Sequence, residues 1–98
     1  MDKEYAIELA KRYKSAIAEH LQIKALYLYG SFSKGTFNTN SDIDIAVIVD
    51  KLNDDYFADT PLLWKIKRKI SNLIEPVLIT EDLGNPLYSD IIKTGILI

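Results

Sequence analysis

The sequence predicts a small α/β (α+β) domain in which helices pack on a mixed β-sheet of about three strands. Segments with a helical spacing of apolar residues alternate with short runs rich in β-branched and aromatic residues. A chain of 98 residues is long enough for one modest core. Its hydrophobic content of 48% and charged content of 27% are ordinary for a globular protein. We therefore expect residues 1–98 to form a single domain.

The chain is predicted to begin with a helix and a strand. Apolar residues recur at three- and four-residue spacing over residues 6–21, so this helix should pack its apolar side on the sheet. His20, the one histidine, falls at the predicted C-terminal end of the helix, where the dipole favours positive charge, and we interpret it as structural. Residues 24–29 follow as a strand that is apolar on both faces. We interpret its Tyr27 and Tyr29 as core residues, although either could stack on a base.

A polar loop punctuated by two glycines leads into a second strand. Gly30 opens the first turn and Gly35 closes a second, and glycine permits both positive φ and close approach of the backbone to a ligand. Such a loop can present backbone N–H groups to phosphate. In the strand, alternation places Asp42, Asp44 and Ala46 on one face. The two carboxylates should therefore point the same way, about 7 Å apart along the strand.

Two carboxylates held this close favour a cation between them. Each negative charge raises the pKa of the other, which is unfavourable without a compensating positive charge. A hard divalent cation with oxygen ligands, most plausibly Mg²⁺, would remove the repulsion and also bind a phosphate chain held by the loop. We therefore predict a metal site at Asp42 and Asp44.

Three other interpretations fit this stretch less well. Residues 30–36 lack the lysine that should follow the second glycine of a Walker A loop. The alternating Asn38, Asn40, Asp42 and Asp44 lack the glycine and terminal glutamate of an EF-hand loop. A surface hairpin with solvated aspartates is the plain structural alternative, but the tight Asn-Gly type of turn is absent.

Gly30-Ser31, ten further residues and then Asp42-Ile43-Asp44 resemble the Gly-Ser-x10-Asp-x-Asp signature of the polymerase β-like nucleotidyltransferases. The short chain is similar to the minimal nucleotidyltransferase (MNT) branch, which includes the antitoxin halves of HEPN–MNT toxin–antitoxin pairs. The resemblance implies the polymerase β-like nucleotidyltransferase fold over most of the chain. It also implies an enzyme with ATP as substrate and a site for two Mg²⁺ ions.

The resemblance further implies which side chains hold metal. Asp42 and Asp44 would hold Mg²⁺ on the β- and γ-phosphates. A third acidic residue of the family lies on the strand after the second helix, and Glu75 falls there. A second Mg²⁺, bridged by all three carboxylates, would activate an acceptor hydroxyl for attack on the α-phosphorus. The plain alternative for Glu75 is a charged residue at a strand end.

Four residues are predicted to bind or support the nucleotide phosphates. Gly30 and Ser31 would cradle the triphosphate, since the Ser31 hydroxyl and the adjacent N–H can both donate to phosphate oxygen. Lys34 is the candidate basic contact, although a loop lysine is often only solvated. Ser41 would orient the first carboxylate, or would simply start the strand.

The second helix follows a polar connector over residues 50–55. Thr60 and Pro61 are predicted as its N-cap and first residue, and an apolar stripe over residues 63–74 should cover one sheet face. The helix carries the one basic cluster, which is either a solvated face or a contact for RNA or an acidic partner. Its members are Lys65, Lys67, Arg68 and Lys69.

The remaining elements are a third strand, a last helix and an apolar end. Residues 75–80 form the strand, with a proline near its start that suits an edge position. Asn85 and Pro86 should cap a helix that runs through Lys93 and ends at Gly95. The apolar residues 96–98 need cover, either as an extended segment against the core or at a partner interface.

Charge and composition narrow the function. A formal net charge of −2 argues against a domain held on nucleic acid by overall charge, and direct nucleic-acid contacts are left open. The absence of cysteine excludes disulfides and thiolate metal sites, and favours a reducing cytoplasm. No apolar run approaches membrane-spanning length, so we expect a soluble cytoplasmic protein.

The resemblance implies transfer of a nucleoside monophosphate, AMP from ATP, to an acceptor hydroxyl. The expected acceptor is a tyrosine of a helical HEPN-family toxin, with the chain as the antitoxin. The alternative is a binding module that neutralises a HEPN ribonuclease by complex formation, with little or no catalysis. Transfer to a small molecule such as an aminoglycoside is a weaker possibility, because family enzymes of that kind carry an additional helical domain. Whether the chain forms homo- or hetero-oligomers is left open.

Overall fold

The structure, a computed structural model, describes residues 3–30, 42–50, 56–81 and 84–98. The elements in chain order are α1 (Lys3–Ala18), β1 (Ala25–Tyr29), β2 (Ile43–Val49), α2 (Tyr56–Ile70), β3 (Ile74–Thr80), α3 (Pro86–Thr94) and β4 (Ile96–Leu97). The four strands in these ranges form one mixed sheet in the order β3-β2-β1-β4. β1 pairs antiparallel with β2 and β4, and β2 pairs parallel with β3. The predicted fold class is confirmed, with one strand more than expected.

The sheet separates two apolar clusters. The larger cluster lies between one sheet face and the helices α1 and α2. Tyr13 of α1 is fully buried there, and its hydroxyl donates to the carbonyl of Leu63 in α2 at 3.1 Å. On the opposite face, Tyr88 and Ile91 of α3 pack on the smaller cluster. Its buried strand residues are Ala46, Ile48 and Ile79.

Strand β2 lies between β1 and β3 and is buried on both faces. The predicted alternation is confirmed, because Ile43, Ile45 and Val47 face the larger cluster while Ala46 faces the smaller one. Every residue of β2 is buried except Asp44, which is half-buried. Asp44 is therefore the one polar and partly accessible residue of this inner strand.

The predicted start of the second helix was wrong. α2 begins at Tyr56 and contains Pro61, which was expected to be its first residue. Proline lacks the N–H that would bond to the carbonyl four residues earlier, but near the N-terminal end of a helix this removes only one hydrogen bond. At the other end of the chain, the cap prediction is confirmed. Asn85 Oδ1 accepts the N–H of Leu87 at 2.9 Å at the start of α3.

The end of α1 differs in detail from the prediction, whereas the end of α3 at Gly95 agrees with it. α1 ends at Ala18, so exposed His20 lies in the turn that follows. The backbone N–H of His20 donates to the carbonyl of Ile17 at 3.0 Å. Gly95 ends α3 with an extended φ of −75° rather than a left-handed one. Its N–H donates to the carbonyl of Ile91 at 2.7 Å.

Residues 96–98 lie against the domain as an added strand. β4 pairs with β1, and the N–H of Ile98 donates to the carbonyl of Leu26 at 2.9 Å. Lys14 Nζ donates to the main-chain oxygen of Ile98 at 2.6 Å. Of the two predicted alternatives, the extended segment against the core is the one observed. No helix in the described parts of the chain is both long and apolar enough to span a membrane.

Candidate active site

A row of polar side chains crosses three neighbouring strands at one end of the sheet. The β1–β2 register places Tyr29 opposite Asp44, and the β2–β3 register places Asp44 opposite Glu75. Directly opposed residues share a face and have Cβ atoms about 5 Å apart. The row lies at the end of β1 and at the beginning of β2 and β3. The row therefore lies at the end of the sheet where the chain leaves β1 at Gly30 and enters the polar loop.

The rest of this face is apolar and lies under α3. The next two rows along the strands contain only apolar or aromatic residues, and all six belong to or pack on the smaller cluster with Tyr88 and Ile91. The polar row is therefore the terminal row of a face whose remainder is covered. These two apolar rows are Tyr27, Ala46 and Val77, then Ala25, Ile48 and Ile79.

The carboxylates in and beside the row repel one another. Burial raises the pKa of Asp44, and the negative charges of Asp42 and Glu75 raise it further. Burial and the charge of Asp44 together raise the pKa of Tyr29. Asp42 is exposed, whereas Asp44 and Glu75 are half-buried. Negative charge is therefore concentrated around Asp44, and a bound cation would neutralise it.

The donors at this point suit a hard cation. Carboxylate oxygens are the ligands that Mg²⁺ prefers, and the site lacks the sulfur or imidazole donors of softer metals among its described residues. In the described ranges, no three His, Cys, Asp or Glu side chains form a group that could hold a metal ion as they stand. Mutual repulsion is a sufficient reason for three carboxylates to stay apart without a cation. Metal binding by Asp42, Asp44 and Glu75 together stays a prediction.

Gly30 lies directly against the side chain of Asp44. It has a φ of +72°, and it is the one residue with positive φ in the described part of the chain. A Cβ at this position would lie 2.4 Å from Oδ2 of Asp44 and 3.2 Å from its Cγ. Glycine is therefore required twice, for the left-handed turn and for the space that the carboxylate occupies. The predicted glycine turn and the predicted carboxylate are in direct contact.

The structure describes four of the seven predicted site residues. Gly30, Asp42, Asp44 and Glu75 lie together at one end of the sheet, as the contacts above show. Glu75 lies beside Asp44 because β2 and β3 pair in parallel, and the sequence did not establish that pairing. The remaining three, Ser31, Lys34 and Ser41, lie outside the described residues.

Two residues have surroundings that the sequence analysis anticipated only in part. Tyr29 was interpreted as core, and it does pack on the smaller cluster, but it also lies directly opposite Asp44. Its position immediately before the glycine turn was the available signal. Lys67, assigned both to the basic cluster and to the apolar stripe, is only 8% exposed. The exposed basic surface of α2 consists of Lys65, Arg68 and Lys69.

Comparisons with known proteins agree with this geometry. The family described as "Polymerase beta, Nucleotidyltransferase" matches residues 11–98. Two proteins of Methanocaldococcus jannaschii, both provisionally named protein adenylyltransferases, are similar to the chain. One is 26% identical over 92% of this chain and 90% of its own length. The other is 31% identical over 85% of this chain and 74% of its own length. Protein adenylyltransferase MntA of Shewanella oneidensis is 33% identical over 55% of this chain and 35% of its own length.

Solved structures share the fold. A protein of Sulfolobus solfataricus, provisionally named a nucleotidyltransferase, superposes with a TM-score of 0.70 at 21% identity, over 97% of this chain and 80% of its own. Two toxin–antitoxin crystal structures, a mutant MntA–HpeT and one with AMP-PNP, each give a TM-score of 0.53, at 20% and 23% identity. Each covers 99% of this chain and 72% of the matched chain. The family match over residues 11–98, together with the geometry around Asp44, shows that this chain belongs to the polymerase β nucleotidyltransferase family.

Proposed function

We propose that this protein is a protein adenylyltransferase, which transfers AMP from ATP to a hydroxyl group of a partner protein. The observation that carries the proposal is the contact between the Gly30 turn and Asp44, with Glu75 on the neighbouring strand. It joins a phosphate-binding type of turn to a cluster of carboxylates at one end of a nucleotidyltransferase sheet. The names of the relatives support a protein acceptor.

Each described site residue has a role in this reaction. Asp42, Asp44 and Glu75 would hold Mg²⁺, and the side chain of Asp44 lies directly against Gly30. When bound, Mg²⁺ supplies positive charge for the phosphate oxygens and lowers the pKa of the acceptor hydroxyl. The turn after Gly30, with Ser31 and Lys34, would bind the triphosphate.

The bond changes are those of an in-line displacement at phosphorus. The acceptor oxygen forms a bond to the α-phosphorus, the bond from that phosphorus to the bridging oxygen breaks, and pyrophosphate leaves with the bonding electrons. The acceptor proton is lost to a nearby base or to water. The protein contributes mainly orientation and charge, which is the usual source of catalysis in phosphoryl and nucleotidyl transfer.

The partner that we propose is a toxin of the HEPN family, modified on a tyrosine hydroxyl, with this chain as its antitoxin. The toxin–antitoxin structures that share the fold support a toxin as the partner, as does the MntA relative, while the HEPN family and the tyrosine acceptor are what the resemblance to the MNT branch implies. The absence of cysteine suits a reducing cytoplasm, where such a pair would act.

A second candidate function is neutralisation of the toxin by binding alone. One observation favours it. Of the four large apolar side chains that are exposed in the described chain, three lie in the consecutive elements α3 and β4, where a bound partner would cover them. These three are Leu87, Ile92 and Leu97.

ATP binding with and without Mg²⁺ tests the proposal first. We expect the parent to bind ATP only with Mg²⁺, and the double variant Asp42→Ala/Asp44→Ala to lose that binding. Asp50→Ala is the matched control, because Asp50 is an exposed carboxylate just beyond the opposite end of β2 and should leave binding unchanged. Absence of ATP binding in the parent under any metal condition would reject the nucleotidyltransferase proposal.

Transfer to a partner is the second part of the test. Radiolabelled α-phosphate of ATP should appear on a co-encoded partner protein with the parent and not with Asp44→Asn. Neutralisation of the toxin by Asp44→Asn without any label transfer would instead favour the binding function.

A further inference from the structure

Helix α2 carries a largely buried lysine whose ammonium group the proposed reaction does not use. Lys67 is 8% exposed, and its Nζ donates to the carbonyl of Asn72 at 3.0 Å. The same Nζ lies 4.9 Å from the centroid of the Trp64 ring, within cation–π range. Buried lysines are rare because taking the charge out of water is costly. The contacts that the ammonium of Lys67 makes should therefore explain why a lysine occupies this position.

The ammonium holds the short turn that joins α2 to β3. The N–H of Ser71 donates to the carbonyl of Lys67 at 2.8 Å, and Ser71 Oγ accepts the N–H of Leu73 at 3.1 Å. The carbonyl of Ser71 accepts the N–H of Ile74 at 3.3 Å. Lys67 thus contacts the turn twice, through its own carbonyl at one end and through Nζ at Asn72.

This turn is bonded directly to the beginning of β2. The carbonyl of Leu73 accepts the N–H of Ile43 at 2.8 Å. The first pair of the parallel ladder is then Ile43 with Ile74, and the second is Asp44 with Glu75. One residue therefore separates the turn from each of the two paired carboxylates. Any shift of the turn along the sheet would change how Glu75 faces Asp44.

We propose that Lys67 is a positioning residue for the metal site, because its ammonium holds, through the hydrogen bond to Asn72, the turn that sets Glu75 beside Asp44. The inference rests on the proposed function. The location of the turn supplies the reason for a lysine, since the last carbonyls of a helix and the turn after it carry partial negative charge. An apolar side chain of the same length could pack against Trp64 but would leave the carbonyl of Asn72 without this donor.

The experiment compares Lys67→Met with Lys69→Met in the full chain. Both variants remove one positive charge from the last turn of α2, but Lys69 is exposed. Mn²⁺ binding to the protein without nucleotide is measured by calorimetry, and folding is checked by thermal melting. We expect Lys67→Met to weaken Mn²⁺ binding about 10-fold or more, the usual effect of losing a residue that orients metal ligands. Lys69→Met should bind like the parent, and Lys67→Arg should recover most of the affinity.

A double-mutant cycle with Glu75→Gln separates positioning from general loosening of the fold. If Lys67 acts through Glu75, Lys67→Met should change Mn²⁺ affinity by less than about 2-fold in the Glu75→Gln background. Parent-like affinity in folded Lys67→Met, or an equal loss in both backgrounds, would overturn the inference. If Lys67→Met does not fold, Lys67→Gln carries the same expectations, because its shorter uncharged side chain cannot replace the ammonium.

The same measurements separate this inference from the proposed function. Asp44→Asn should abolish Mn²⁺ binding if the metal site exists. Loss with Asp44→Asn but not with Lys67→Met rejects only the role of Lys67. Retention of binding in Asp44→Asn rejects the metal site itself, and the role of Lys67 with it.

Discussion

Replacing Gly30 with alanine should damage catalysis far more than it damages the fold. The new Cβ would lie 2.4 Å from Oδ2 of Asp44, whereas ordinary contact begins at 3.4 Å. The carboxylate oxygen must therefore move by about 1 Å, and a misplacement of this size in an active site costs roughly 100-fold in rate. The left-handed φ of +72° adds a strain of about 1–2 kcal/mol for a residue with a Cβ. For a domain of this size, that corresponds to a melting temperature lower by roughly 4–16 °C.

The assay measures turnover and melting temperature on the same preparations. Gly95→Ala is the matched control, because a Cβ there would meet the carbonyl oxygen of Ile91 at 2.5 Å, none of its three nearest atoms belongs to a carboxylate, and its φ of −75° suits any residue. We expect this crowding to cost about 1–3 kcal/mol of stability while turnover per folded molecule stays at the parent level. Gly30→Asn tests the backbone separately, since asparagine tolerates left-handed φ but still brings a Cβ. It should regain stability relative to Gly30→Ala without regaining turnover.

Parent-like turnover in folded Gly30→Ala would refute the argument. It would mean that the Asp44 carboxylate can move aside at no cost to the reaction. An equal loss of turnover in Gly95→Ala would also refute it, because the effect would then follow loss of stability rather than contact with Asp44.

Two further predictions concern stability. Asp44→Asn should raise the melting temperature of the metal-free protein at neutral pH, because the raised pKa of Asp44 means that the fold disfavours its charged form. This gain should shrink as the pH falls through the raised pKa towards the ordinary value of 3.8, since Asp44 then becomes protonated in the fold, and a pH-independent difference would contradict it. Tyr13→Phe removes the hydrogen bond to Leu63 and should cost about 0.5–1.5 kcal/mol in urea unfolding. Its turnover should stay unchanged, and a large loss of turnover would show that α1 and α2 control the site.

The sequence alone predicted the features that depend on residues near one another in the chain. Alternation predicted Asp44 and Ala46 on one face of β2, and the structure has Ile43, Ile45 and Val47 on the other. The cap at Asn85 was predictable because its side chain bonds to an N–H two residues away. Spacing between Gly30 and the carboxylates was likewise readable from the chain itself. A local signal failed at Pro61, because its position in a helix depends on whether the preceding residues are also helical.

Only the tertiary structure decided which distant residues meet. The sequence suggested Glu75 as a third carboxylate, but its place opposite Asp44 depends on the parallel pairing of β2 and β3, which no local pattern specifies. The addition of β4 beside β1 depends in the same way on pairing between distant segments. The burial of Lys67 depends on the turn that its ammonium reaches and on the Trp64 ring beside it. Strand register and burial are set by how the whole chain packs, so these features follow from the assembled sheet rather than from residue order alone.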